Sequence, residues 1–163
     1  MAPLTRLLGS IAPALTGVVA AAGLAACAAD IAPSATIETA TPDQLTPSDD
    51  AADDLTITLR YDDGDGDLGG GVADVYDCRA DGVVIELAIP QIAADRDQHI
   101  TGALELHVND VGDIAAGALP TTCAGLGVEP LAAGTAVFCV VLADAAGHRG
   151  DGDCTAPIAI VAP

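Results

Sequence analysis

The sequence contains no lysine and no tryptophan, and its aromatic side chains are limited to Phe138, Tyr61 and Tyr76. Its five basic residues are all arginine, set against 24 acids for a formal net charge of −19. Without a basic patch the chain cannot grip a nucleic-acid backbone, and without aromatics it lacks the stacking platforms used on single strands. The same scarcity leaves carbohydrate binding as the weakest of the binding roles. Serine is almost missing: Ser10 lies in an amino-terminal apolar stretch, and Ser34 and Ser48 lie in a leader rich in proline and threonine. A serine-histidine-acid triad therefore has no nucleophile to build on. His99, His107 and His148 form no H-E-x-x-H or other close ligand set, and Gly69-Gly70-Gly71 lacks the following Lys-Ser/Thr of a phosphate cradle. Paired carboxylates abound, but in polar loops where no apolar pocket would raise the pKa of a general acid. A non-enzymatic chain is expected.

What is present begins with an export signal. Arg6 is followed by LLGSIAPALTGVVAAAGLAA, an apolar run broken by Gly9, Pro13, Gly17 and Gly23, shorter and weaker than a stable spanning helix. The run ends in Leu24-Ala25-Ala26-Cys27, which resembles the lipobox of bacterial lipoproteins. The resemblance implies cleavage after residue 26, lipidation of Cys27 and stable attachment to the membrane through several acyl chains. Ala28 in place of aspartate implies sorting to the outer membrane of a Gram-negative cell, with the periplasmic or surface face left open. The mature chain keeps 137 residues, with four arginines against all 24 acids and a formal charge of −20. Such a charge repels itself, so bound cations or high ionic strength should favour folding; salt tolerance of the source is a competing explanation for the acidity.

Residues 27–34 read as a lipidated tether, extending as far as 54 if ATIETA at 35–40 is linker rather than a first edge strand. Beyond it the period is two. LTITLRY at 55–61 places Leu55, Ile57, Leu59 and Tyr61 on one face; VVIELAIP at 83–90 does so with Val83, Ile85, Leu87 and Ile89; GALELHVNDV at 102–111 does so with Leu104, Leu106 and Val108. AVFCVVLAD at 136–144 is continuously apolar, as an interior strand would be, and TAPIAIVAP at 155–163 supplies a last short strand. No segment has a convincing helical repeat; IAADRDQHI at 92–100 offers at most a turn or two. Short strands separated by loops rich in glycine and aspartate predict an all-β antiparallel sandwich of about seven strands. Four cysteines besides Cys27, namely Cys78, Cys123, Cys139 and Cys154, predict two disulfides in an exported chain.

The loop after the first long strand reads YDDGDGDLGGGVAD. Asp63, Asp65, Asp67 and Asp74 fall at positions 1, 3, 5 and 12, the spacing by which an EF-hand-type loop wraps oxygen ligands around calcium. Leu68 stands where the sharp turn normally demands glycine, Asp74 replaces the bidentate glutamate, and no helix flanks the loop. What survives is a D-x-D-x-D calcium turn; the competing reading is a hydrated turn in a very acidic protein.

The strand pattern, the loop ending in DLG and the segment VVLADAAGHRGD are similar to the immunoglobulin-like and fibronectin-like domains of bacterial surface lipoproteins. In these a V-x-D-x-x-G-N segment leads out of the penultimate strand; His148 stands here at the asparagine position. The resemblance spans residues 35–163 and implies an immunoglobulin-like order. That order would bring the loop after LTITLRY to the same end as AAGHRGDGDC, so Asp151 and Asp153 would complete or share the calcium site. It also implies a Cys78–Cys154 bridge, with Cys123–Cys139 as the remaining pair. The function so implied is an interaction or adhesion module held by calcium, its partner an envelope protein or extracellular ligand. The alternative is an accessory envelope lipoprotein without a metal site.

Overall fold

In the computed structural model, which describes residues 31–47, 53–81, 84–92, 98–111, 114–115 and 117–162, ATIETA is strand rather than linker. It lies within β1 (Ser34–Thr41), which runs on past Pro42 into β2 (Gln44–Leu45). The alternation of LTITLRY gives β3 (Leu55–Asp63), followed by β4 (Val72–Asp77), β5 (Val84–Ala88) and β6 (Ile100–Val108). A five-residue helix, α1 (Thr121–Gly125), precedes β7 (Thr135–Ala136), β8 (Phe138–Ala143), β9 (Asp153–Cys154) and β10 (Ile158–Ile160). Residues 1–30 (Cys27 among them), Val83 and most of IAADRDQHI lie outside the described residues.

One sheet has the order β1-β3-β6 and the other β5-β4-β8-β9, both antiparallel; a small third sheet runs β2-β10-β7, with β10 parallel to β2. The first two pack face to face over a shared core that includes Ile57 and Leu59 of β3, Val75 of β4, Leu106 of β6, and Phe138, Val140 and Leu142 of β8. This is the all-β sandwich expected, in immunoglobulin-type strand order. Among the described residues there are ten strands rather than about seven because three runs are interrupted: Pro42 divides β1 from β2, Val137 divides β7 from β8, and residues 155–157 divide β9 from β10.

The continuous apolarity of AVFCVVLAD has a physical reason. Every residue of β8 is buried, because both of its faces are covered. Phe138, Val140 and Leu142 face the sandwich core. On the other side, Val137 and Cys139 pack in a second cluster with Cys78 and Cys123, against Leu119, Leu126, Val128 and Leu131 of the segment that carries α1. The disulfides pin this layer, and their pairing corrects the expected one. Cys139 stands directly opposite Cys154 in the β8-β9 ladder and bonds to it, while α1 delivers Cys123 to Cys78 just past the end of β4. All four sulfurs belong to one locus, the Sγ atoms of Cys78 and Cys139 lying 3.4 Å apart, so register rather than proximity decides the partners.

At the seam between the sheets, β1 is tied to the segment before β10. Its register with β3 shifts between Ile37 and Thr39, and Asp153 Oδ2 accepts the Ile37 N–H at 2.8 Å. The carbonyl of Asp151 accepts the Ala35 N–H at 3.4 Å. Non-reducing peptide mapping should recover Cys78–Cys123 and Cys139–Cys154. The Cys139→Ala/Cys154→Ala variant should lose about 2–4 kcal/mol in denaturant unfolding.

Candidate metal centre

The inward phase of β3 runs beyond its apolar residues. Leu55, Ile57, Leu59 and Tyr61 are buried, and the next residue in phase, Asp63, is 0% exposed. Its Oδ2 accepts the Leu68 N–H at 2.8 Å, which folds the loop back over it. Gly66, at φ 79°, makes the turn that lets Asp65 and Asp67 converge on Asp63. Leu68, fully buried, then drops into the sandwich core. That explains leucine at the expected glycine position: the loop turns inward here and does not continue as an EF-hand.

One carboxylate oxygen from each of Asp63, Asp65 and Asp67 lies within 4.8 Å of the others. Two oxygens each about 2.4 Å from a single calcium ion can be no farther apart than about 4.8 Å, so the set fits one such ion. Oδ1 of each of the three is buried without a hydrogen-bond partner. The second oxygen of Asp65 accepts the Ile31 N–H at 3.0 Å. Inward carboxylate oxygens that no donor satisfies are groups that a cation could match.

The second acidic loop does reach this end of the sandwich, through a different residue. The Ala145 N–H donates to the Asp67 carbonyl at 3.1 Å, and the Cβ-free Gly71 lies against the backbone of Ala143 and Asp144. Asp144, 3% exposed, supplies the neighbouring negative charge; its carboxylate accepts the His148 N–H at 2.8 Å and contacts His148 Nδ1 at 2.9 Å. Asp151 is exposed, and Asp153 is engaged by the backbone of Ile37 and Cys154, so neither belongs to the cluster. Asp74 is likewise not brought in. It sits in mid-β4, between Glu86 and Val141, and pairs with Arg149, which also donates to the Tyr76 hydroxyl at 2.8 Å. Position 12 of the loop spacing falls inside β4, where VADVYD is strand and carries Asp74 away from the loop.

The electrostatics follow from this geometry. Burial raises the Asp63 carboxyl above its ordinary value of 3.8, although the Leu68 N–H opposes the shift. Asp67 is pushed up to about 6 by burial, then by the charges of Asp144 and Asp65. Asp65 is lowered, chiefly by the Ile31 N–H. No protein family, curated protein or solved structure matches the chain.

A pH dependence follows for the metal-free protein. Between the ordinary 3.8 and about 6, the folded chain holds a proton at Asp67 that the unfolded chain has released. Raising the pH through that window therefore lowers stability, and the raised Asp63 acts in the same direction. Asp65 acts oppositely, but only at pH below its ordinary value. Melting in chelator should show stability falling from about pH 4 to pH 6, and Asp67→Asn should flatten that fall. Asp74→Asn should leave calcium binding unchanged while lowering the melting temperature through loss of the Arg149 pair.

Proposed function

We propose that this chain is an exported, lipid-anchored protein of the bacterial outer membrane, a non-enzymatic interaction module whose sandwich is stabilised by calcium at Asp63, Asp65 and Asp67. The observation that carries the calcium assignment is the convergence of three carboxylates, each with a buried oxygen that no donor satisfies. An all-oxygen set on an irregular loop suits calcium better than zinc or magnesium, and carboxylates without a bidentate glutamate imply modest affinity. Two disulfides support an oxidising compartment, in keeping with the lipobox at Leu24-Ala25-Ala26-Cys27.

A lipid anchor at Cys27 would lie near the acid cluster. Ile31 touches Asp65, and only residues 28–30 separate it from Cys27, a reach of about 14 Å at full extension. Lipidation at Cys27 would therefore hold the calcium loops against the membrane and leave the opposite end free. Beside β7 and β9 the chain carries a shallow, mostly apolar recess of about 360 Å³, lined by Leu126, Val128, Pro130, Leu131, Val137 and Pro157. Such a recess favours interaction over the alternative role of inert spacer.

Calcium at a hundredfold excess over its Kd should stabilise the chain by about 2.7 kcal/mol, beyond any effect of sodium chloride at matched ionic strength. Asp65→Asn/Asp67→Asn should lose one bound calcium and the stabilisation that goes with it. Mass spectrometry of membrane-extracted protein should find an acylated amino terminus at Cys27. An unchanged calcium count in the double variant would remove the metal from the proposal, and a soluble mature form with free Cys27 would remove the anchor.

A further inference from the structure

We infer that the chain holds a second divalent-cation site at the other end of β3, formed by Asp53, Asp54 and Asp110. Asp53 precedes β3 by two residues, in a 3₁₀ turn, and lies on the buried side of the chain just before Leu55. Asp53 is 0% exposed, and both of its carboxylate oxygens lack a hydrogen-bond partner. In this it is more extreme than Asp63, one of whose oxygens is satisfied by Leu68.

The antiparallel pairing of β3 with β6 brings the other two acids alongside. Leu55 stands opposite Val108, so the residues just before β3 meet those just after β6. The Val111 N–H donates to the Asp53 carbonyl at 3.2 Å, folding the 109–111 turn across Asp53, and the Asp110 N–H donates to Asp54 Oδ1 at 3.3 Å. Asp110 adopts φ 56°, a left-handed conformation that aspartate and asparagine tolerate better than most residues. The outcome is one carboxylate oxygen from each of the three acids within 4.8 Å of the others, again the span that one calcium ion can bridge. Arg79 reaches the Val111 carbonyl next to this cluster, yet its guanidinium is paired with Asp77, at 2.6 Å from Nη2 and 3.0 Å from Nε. Asp53 is thus a fully buried acid aimed into a carboxylate cluster, with both oxygens open to a metal. Three carboxylates can supply up to six hard oxygens, and calcium accepts such irregular sets.

The site does not depend on the Asp63 cluster, and calcium itself is the probe. Equilibrium dialysis of the purified full chain should find two calcium ions bound. Asp65→Asn/Asp67→Asn should retain one, and adding Asp53→Asn to it should remove that one. Asp110→Asn keeps the left-handed turn and should weaken the second site at least tenfold; it decides the matter if the Asp53 variant does not fold. The calcium-dependent rise in melting temperature should shrink in each variant. If Asp65→Asn/Asp67→Asn binds no calcium, or if Asp53→Asn and Asp110→Asn bind as much as the unaltered chain, the second site does not exist. A single ion lost on Asp110→Asn but kept in Asp65→Asn/Asp67→Asn would uphold this site and overturn the one at Asp63.

Discussion

Two buried carboxylates flank one buried strand face: Asp63 is its last inward residue, and Asp53 lies two residues before its start. Side chains of a strand alternate strictly, so a slip of one residue that freed Asp63 would carry Leu55, Ile57, Leu59 and Tyr61 into water. The register that builds the core therefore buries that carboxylate. An ionised carboxylate in a protein interior costs several kcal/mol unless it is matched, against a total stability of only about 5–15 kcal/mol for a domain of this kind. Whatever matches those two groups largely decides whether the sandwich stands.

The other buried acids show how the chain meets this demand when it uses its own cations. Asp77 is paired bidentately with Arg79, whose guanidinium also lies 5.8 Å from the centre of the Phe138 ring. Asp74 is paired with Arg149, and Asp144 is held by His148. Arg60 is on the surface with Glu38. Among the described residues five aspartates are buried, in a chain of five arginines, and three of the five have internal partners. The two that remain, Asp53 and Asp63, are the two that sit in converging carboxylate clusters. That coincidence argues for external cations more strongly than acidity as such, because surface acids need nothing but water.

The all-β class, the two-fold period and the doubly covered β8 were legible because burial on one or both faces leaves a direct imprint on residue order. The D-x-D-x-D turn was legible for a similar reason, as small residues between carboxylates mark a loop that can coil. Two things were not. VADVYD mixes charges into a central strand, since Asp74 finds Arg149 across the sheet, and that partner lies 75 positions away in sequence. The helix of TTCAG is too short to show a repeat; it exists because the Cys78–Cys123 bridge and the packing around Val137 hold it, so nothing local announces it or the disulfide pairing it dictates. Asp53 precedes β3 in a 3₁₀ turn, outside the strand whose period could place it, and its closeness to Asp110 is a product of the β3-β6 register.

Disulfides form and persist only where the surroundings oxidise thiols, and the proposed calcium sites, being of modest affinity, would fill only where calcium is abundant. Stabilisation by a ligand grows with the logarithm of its excess over Kd, so a weak site in a calcium-rich medium serves as well as a tight one in a poor medium. In a reducing, calcium-poor medium a chain with a formal charge of −19 would have neither aid, and its own repulsion would oppose compaction. Placing one carboxylate cluster at each end of β3 makes that dependence structural. Each cluster joins the end of a central strand to a loop from elsewhere, Asp63 to the 144–148 turn through Asp67, and Asp53 to the turn after β6. Cations at those two points would clamp the central strand at both of its ends, where the ladder's own hydrogen bonds run out.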